Sequence, residues 1–112
     1  MDKPIDWRGS SLDDLREFPE AARKRAGYEL RKLQRGELPD DWRPFPEAGS
    51  GANEIRIDSR DGWFRVMYVA KFEEAIYVLH SFQKKTRKTS RSDIEIARAR
   101  YRAVVAERKT SK

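Results

Sequence analysis

A dense set of cations follows the only histidine of the chain. The segment HSFQKKTRKT, residues 80–89, begins with His80 and has no acid within it. Its four cations are Lys84, Lys85, Arg87 and Lys88. Lysine and arginine bind phosphates, and histidine transfers protons near neutral pH. The segment therefore contains the residue types needed for chemistry on a phosphodiester.

The positive charge is concentrated in the last third of the chain. From residue 80 onward there are 11 lysines and arginines against three acids, a net charge of +8, whereas the first 79 residues carry −2. A basic segment on a near-neutral body is typical of proteins that bind nucleic acid or another polyanion. The alternative is a basic tail that only improves solubility.

Composition excludes several kinds of site. The absence of cysteine rules out disulfides, thiolate catalysis and the usual structural zinc sites, and a single histidine rules out a two-histidine ribonuclease. The GSG at residues 49–51 lacks the lysine of a phosphate-binding loop. No carboxylate pair is expected on the working surface, which argues against a metal-dependent nuclease. We therefore expect no metal and no cofactor.

Length and hydropathy predict one domain, residues 1–112, with a single core. No stretch approaches the roughly 18 apolar residues of a membrane span, and the first ten residues lack the apolar centre of a secretory signal. We expect a cytoplasmic protein with no membrane association.

Two helices are predicted before the basic region. After a short strand around residues 5–7, a helix capped by Ser10 or Ser11 is expected, and a second helix runs from Pro19 to Gly36. Their apolar stripes are Leu12, Leu15 and Phe18, and then Ala22, Ala26, Leu30 and Leu33. Residues 38–53 contain three prolines and two glycines and are expected to form an ordered connector without regular structure.

The apolar period then changes to two. EIRID, WFRVMYVAKF and AIYVLHSF predict a three-stranded antiparallel meander, with SRDG as the first turn and a loop longer than two glutamates as the second. A closing helix is expected, capped by Ser92 with Glu95, and its stripe is Ile94, Ala97, Tyr101, Val104 and Val105. The fold class is α+β: two N-terminal helices packed on an antiparallel sheet of about four strands, with a C-terminal helix.

The predicted turns determine which residues face each other. Arg56 is expected opposite Arg65, Arg65 opposite Phe82, and Met67 opposite His80. Two facing arginines repel each other unless an anion lies between them. The expected core face carries Ile55, Ile57, Phe64, Val66, Tyr68, Phe72, Tyr77 and Leu79. The opposite face is the candidate working surface, although Met67, Val69, Ile76 and Val78 indicate that a helix covers part of it.

Each member of this surface has a simpler explanation. His80 is a structural histidine if it only makes one hydrogen bond, and Arg56 is structural if it pairs with Asp58, Glu54 or a loop acid. Phe82 either stacks an unpaired base, as Trp63 could, or belongs to the core beneath the last helix.

Metal-free phosphoryl transfer on RNA fits this set of residues. The ribose 2′-hydroxyl attacks its own phosphate, so the protein must position the chain, stabilise charge and move protons. His80 or a lysine with a lowered pKa could transfer the proton. RNA binding without cleavage would need nearly the same residues.

Four phrases resemble one known family. NEIRI, WFRVMYV, IYVLHSFQKKTRKT and SDIEIARARYRAV, within residues 7–105, are similar to the RelE superfamily of bacterial toxins, and most to its HigB branch and phage-derived relatives. The resemblance implies a type II toxin: an endoribonuclease that cleaves messenger RNA on the ribosome without a metal and leaves a 2′,3′-cyclic phosphate.

The resemblance also implies partners and site residues. It implies a cognate antitoxin of the helix-turn-helix type, and a complex of the two that could bind operator DNA. The candidate catalytic residues are Arg65, Lys84 and Lys85, which match basic positions of the family, and His80, which is a candidate from its own chemistry. The candidate RNA-binding residues are Arg56, Lys71, Phe82, Arg87 and Lys88.

One departure leaves the general base open between His80 and a lysine. Many members of the superfamily use a C-terminal tyrosine or histidine, whereas here only Tyr101 follows Lys88, and it lies on an apolar stripe. Two other functions remain open: a non-catalytic nucleic-acid- or ribosome-binding regulator of phage origin, and a degenerated toxin that only binds its antitoxin.

Overall fold

One five-stranded sheet carries helices on both faces. The computed structural model describes residues 2–111. In chain order its elements are β1 (Ile5–Trp7), α1 (Ser11–Arg16), α2 (Glu20–Gln34), β2 (Trp42–Pro44), β3 (Ala52–Ser59), β4 (Gly62–Val69), β5 (Ile76–Lys84) and α3 (Arg91–Thr110). The strand order is β1-β5-β4-β3-β2, and only the β1–β5 pair is parallel. The predicted α+β class is confirmed.

The β3–β4 hairpin has the predicted register. All eight pairs follow from the two-residue turn of Arg60 and Asp61, so Arg56 lies opposite Arg65. Gly62, directly after the turn, has φ 134°, a backbone conformation that residues with a Cβ rarely adopt. The turn residues therefore determine the pairing along this hairpin.

A β-bulge changes the register of the β4–β5 hairpin halfway along. Met67 faces His80 as predicted, but the next residue, Tyr68, pairs with Val78, which leaves Leu79 as the extra residue. A bulge shifts later side chains to the other face. The carbonyl oxygen of Leu79 accepts a hydrogen bond of 3.0 Å from Arg100 Nη1, which ties the bulge to α3.

Because of the bulge, the predicted assignment of β5 residues to the two faces of the sheet is wrong. Ile76 and Val78 were expected on the working surface but pack beneath α1 and α2, whereas Tyr77 and Leu79 were expected on the opposite face but pack beneath α3. Met67 and Val69 are covered by α3 as expected. Both faces of the sheet are therefore buried over much of their area, and the core is divided into two apolar layers.

Strand β2 was not predicted. Its residues pair with β3, and Arg43 lies opposite Glu54. Proline is compatible with this strand because β2 is at the edge of the sheet. Proline has no backbone N–H, and the outer side of an edge strand needs no hydrogen-bond donor. The expectation that residues 38–53 are irregular is therefore wrong for Trp42–Pro44 and for the start of β3.

The helix ends differ slightly from prediction. Pro19 is the N-cap of α2 and not its first residue, and Gly36 follows the helix with φ 83°. The predicted cap of α3 is wrong: Ser90, not Ser92, accepts a hydrogen bond of 3.0 Å from the backbone N–H of Asp93. The loop between β4 and β5 spans residues 70–75, longer than two glutamates, as predicted. None of the helices within residues 2–111 is long and apolar enough to cross a bilayer.

Candidate functional site

Four strands bring four cations to the sheet face that α3 only partly covers. Arg43 lies on β2, Arg56 on β3, Arg65 on β4 and Lys84 at the end of β5. The cross-strand pairs place Arg56 beside Arg65, and Lys84 two residues beyond the partner of Arg65 on β5. Residues separated by two positions along a strand share a face, so these side chains converge.

A cleft of about 360 Å³ is lined by two of these cations, Arg43 and Lys84, and not by Arg56 or Arg65. Its base contains Phe45 and Ile94, and its only lining acid within the described residues is Glu47. Its cations are Arg43, Lys84, Arg87 and Lys88. A cleft with an apolar base and a mostly positive wall suits a polyanion that also has flat apolar groups, such as single-stranded nucleic acid.

The buried carboxylate of Glu54 lies between Arg43 and Arg65. Glu54 is 0% exposed, and its Oε2 accepts a hydrogen bond of 2.6 Å from Arg43 Nε. Its Oε1 lies 3.8 Å from Arg65 Nε, and neither of these two atoms has a hydrogen-bond partner among the described residues. Arg65 itself is 5% exposed and donates through Nη1 to Asp58 Oδ1 at 2.8 Å.

The repulsion expected between Arg56 and Arg65 is therefore relieved by acids of the protein. Arg56 Nε donates to Asp41 Oδ1 at 2.9 Å, and this hydrogen bond raises the pKa of Arg56. Of the three acids considered as partners for Arg56, the loop acid makes the hydrogen bond. The surface is an alternation of cations and anions, with the excess positive charge on Lys84 and the loop after it.

Lys84 differs from the other cations of the site. It is 9% exposed, and its ammonium group has no hydrogen-bond or ion-pair partner within residues 2–111. Burial lowers its pKa below the ordinary value, and the neighbouring charge of Arg65 lowers it further, whereas Glu54 opposes these effects. Lys84 therefore gives up its proton more readily than a surface lysine, as a general base requires.

His80 lies apart from Lys84. Its Nε2 lies 2.7 Å from Asp93 Oδ1 of α3, and its ring stacks on Phe82 with 4.7 Å between ring centroids. It lines a different cleft, next to Asp14 of α1. Four residues along a strand separate the Cα atoms of His80 and Lys84 by about 13 Å. Burial lowers the pKa of His80 even though Asp93 raises it.

The remaining predicted residues fall into three groups. Arg87 and Lys88 line the cleft, and Lys85 is exposed on the same loop. Lys71 lies at the other end of the sheet, with its Nζ 5.2 Å from the centroid of the Phe72 ring, so the structure does not bring it to the cleft.

The two aromatic candidates for base stacking differ in exposure. Phe82 is 8% exposed and packs against His80, so it offers no open face. Trp63 is 44% exposed and lies directly opposite Lys84 in the ladder. Trp63 is therefore the aromatic surface available beside the cleft.

Sequence reasoning missed Arg43 and Asp93. Arg43 lies in a segment whose prolines predicted irregular structure, and no local signal marks it as part of the sheet. Asp93 could have been found, because Ser90 and Asp93 have the spacing of a helix N-cap and its third residue. Among residues 2–111, no three histidine, aspartate or glutamate side chains are grouped so that they could hold a metal ion.

Fold and site together define a small α+β protein with a cationic cleft at one end of its sheet. Residues 13–102 match the family model described as "Phage derived protein Gp49-like (DUF891)". The chain belongs to this family, which is toxin-like and RelE-like. No curated protein matches the chain.

Proposed function

We propose that the protein is the toxin of a type II toxin–antitoxin system, close to the HigB branch, and that it cleaves messenger RNA on the ribosome. The observation that carries this proposal is Lys84: a buried lysine without a partner among the described residues, at the edge of a cationic cleft. Membership of a toxin-like family supports the same conclusion.

Lys84 would accept the proton of the ribose 2′-hydroxyl. The 2′ oxygen forms a bond to the adjacent phosphorus while the bond from phosphorus to the 5′ oxygen breaks. The products are a 2′,3′-cyclic phosphate and a 5′-hydroxyl, whose oxygen takes its proton from solvent or from a cation of the loop. This reaction needs no nucleophile from the protein and no metal.

The other cations would hold and stabilise the phosphates. Arg65 is fixed by Asp58, so its guanidinium cannot drift as charge builds on the phosphorane oxygens. Arg87 and Lys88 on the cleft wall would bind flanking phosphates, and Trp63 would stack a base next to the scissile bond.

The proposed partners follow from the same charges. An antitoxin of the helix-turn-helix type would neutralise the toxin by laying an acidic segment across the cleft, and the pair would bind operator DNA. Messenger RNA and ribosomal RNA would be the polyanions bound when the antitoxin is absent. The loop from Lys85 to Lys88 would make the first contact, since it is exposed.

A second candidate function is polyanion binding without cleavage. It is favoured by the acids that lie among the arginines. Asp58 and Glu54 both lie within ion-pair distance of Arg65, which leaves that guanidinium less free to bind a phosphate. This function predicts salt-sensitive binding and no strand scission. A toxin degenerated into a structural partner would bind its antitoxin and cause no growth arrest when released from it.

Cleavage by the purified protein tests the proposal. The protein would be added to ribosomes translating a short messenger RNA, with Lys84→Ala as the test variant and Lys24→Ala, exposed on α2, as the matched control. We expect cuts by the wild type and the control that end in 2′,3′-cyclic phosphate, and none by Lys84→Ala. Intact RNA with the wild type, despite ribosome binding, would replace the nuclease with the binding function.

A further inference from the structure

Two arginines of the site are held by carboxylates at the inner nitrogen only. Arg43 donates through Nε to Glu54, and Arg56 donates through Nε to Asp41. Neither Nη1 nor Nη2 of Arg43 has a partner in the part of the chain that the structure describes. A guanidinium has five donors in a rigid plane, and its outer nitrogens match two oxygens of a phosphate.

The position of Arg43 suits such a contact. Its side chain is 49% exposed, and it lines the cleft together with Lys84, Arg87 and Lys88. The side chain lies on β2, whose backbone is fixed by pairing with β3. The bond from Nε to a buried carboxylate fixes the plane of the guanidinium, and the outer nitrogens remain available to a ligand in the cleft.

Glu54 is difficult to explain as a residue that touches substrate. It is completely buried, and its Oε1 has no hydrogen-bond partner among the residues described. A buried, incompletely bonded carboxylate is costly to the fold. Its one hydrogen bond is to Arg43 Nε, and its second neighbouring cation is Arg65. What this hydrogen bond provides is the orientation of the Arg43 guanidinium.

We propose that Arg43 binds a backbone phosphate of RNA through Nη1 and Nη2, and that Glu54 is a positioning residue that orients Arg43 for this contact. The choice of RNA as the ligand rests on the proposed function. The site is a phosphate subsite on the β2 side of the cleft. This subsite would bind the RNA before the cleavage step, because the Arg43 guanidinium is already oriented in the protein without RNA.

Positioning and simple electrostatics predict opposite signs for one substitution. Glu54→Gln removes a negative charge, so charge alone predicts tighter binding of a polyanion. If Glu54 orients Arg43, the same substitution weakens binding, because a neutral amide oxygen holds the guanidinium less tightly than a carboxylate does. The weakening must disappear when Arg43 is already absent, since the carboxylate then has nothing left to position.

Binding of an uncleavable RNA tests both residues. A fluorescein-labelled 2′-O-methyl RNA oligonucleotide would be titrated with wild type, Arg43→Ala, Arg43→Lys, Glu54→Gln and the Arg43→Ala/Glu54→Gln double variant. Arg23→Ala, exposed on α2 at the other face of the sheet, is the control for lost charge. Fluorescence anisotropy would be followed at several salt concentrations, and circular dichroism would confirm that each variant is folded.

We expect Arg43→Ala to weaken binding about tenfold, the size of one charge-assisted contact. The slope of log affinity against log salt should fall by about 0.7, as for one phosphate contact to a single strand. Arg43→Lys should lose most of the same affinity, because lysine has no planar fork. Glu54→Gln should weaken binding in the wild-type background and should not weaken it in the Arg43→Ala background.

Tighter or unchanged binding by Glu54→Gln would overturn the role of Glu54. The phosphate site would be overturned if Arg43→Ala bound the RNA as tightly as the wild type, or if the wild type did not bind it. If Glu54→Gln does not fold, the comparison of Arg43→Lys with Arg43→Ala decides, and equal affinity of Arg43→Lys and wild type contradicts the fork contact. The test is independent of cleavage: a protein that binds as expected but cuts no RNA would refute the nuclease and retain this subsite.

Discussion

His80 Nε2 lies 2.7 Å from Asp93 Oδ1, so the only histidine joins β5 to the first turn of α3. Asp93 is held in turn by Ser90, whose hydroxyl lies 2.7 Å from Asp93 Oδ2 and accepts a hydrogen bond from the Asp93 backbone N–H. This chain of contacts fixes where the helix begins and where the loop carrying Lys85 to Lys88 ends. The histidine therefore makes the single side-chain hydrogen bond that its simpler, structural explanation requires, although its partner Asp93 was not foreseen.

The first prediction concerns stability against pH. Burial lowers the pKa of His80 below its ordinary value near 6.5, so between that value and the folded-state pKa the unfolded chain binds more protons. The contribution of His80 to the free energy of unfolding should therefore be fully present above pH 6.5. Below that pH the free energy of unfolding should fall, by at most about 1.4 kcal/mol per pH unit. Urea unfolding at closely spaced pH values measures this.

The pH range must exclude other groups. Three carboxyls with lowered pKa, Asp40, Glu74 and Glu107, cost stability only in more acidic solution, so pH 5 to 6.5 isolates the histidine. His80→Gln should lack the fall in that range. A fall of the same size in His80→Gln would show that another group is responsible.

The second prediction separates the two serines near the start of α3. Ser90→Ala should lower the free energy of unfolding by about 1 kcal/mol, because the backbone N–H of Asp93 loses its acceptor. Ser92→Ala, at the position that the sequence pattern favoured, should change it by less than about 0.5 kcal/mol. Chemical denaturation of the two variants gives the comparison directly. A larger loss in Ser92→Ala would restore the predicted cap.

The third prediction concerns Arg65. Arg65→Ala should destabilise the fold by about 3 kcal/mol, because Glu54 loses a compensating charge inside the protein and Asp58 loses its partner. Arg60→Ala, in the exposed hairpin turn, is the control and should stay within about 0.5 kcal/mol. A stable Arg65→Ala protein would mean that the hydrogen bond from Arg43 is enough to compensate the buried carboxylate of Glu54. Tests of activity therefore need Arg65→Lys beside Arg65→Ala.

The fourth prediction uses the lowered pKa of Lys84. A base acts when deprotonated, so the cleavage rate should rise with pH and level off below 10.5, the ordinary value for lysine. Lys84→Arg keeps the charge but cannot lose its proton, and should reduce the rate by about 10² to 10⁴. His80→Gln should keep the wild-type profile. A Lys84→Arg protein with the wild-type rate and pH profile would exclude Lys84 as the base.

The sequence was most informative where short-range rules decide the structure. The register of β3 against β4 follows from a two-residue turn, and the α3 stripe follows from helical periodicity. The predicted register of β4 against β5 is wrong beyond Met67. There Leu79 is an extra residue, and its carbonyl oxygen accepts a hydrogen bond from Arg100, 21 positions later. No local pattern encodes a contact of that separation.

The sequence predicted several cations of the site but not the anions that pair with them. Lys84 and Arg65 were recognised as candidates, but Arg65 is held by Glu54 and Asp58, and the pKa of Lys84 is lowered by burial and by the charge of Arg65. Arg43 was missed because β2 contains a proline and, among residues 2–111, pairs with no strand other than β3. Which charges pair inside a sheet depends on strands that are distant in the chain.

The most direct test of the central claim is the mapping of messenger RNA 5′ ends after brief induction of the protein in bacteria. Wild type, Lys84→Arg and the control Lys24→Ala would be compared by primer extension on the same transcripts. The account predicts new ends within translated frames for wild type and Lys24→Ala, and none for Lys84→Arg. Arrested growth with no new ends, or the same ends with Lys84→Arg, would contradict it.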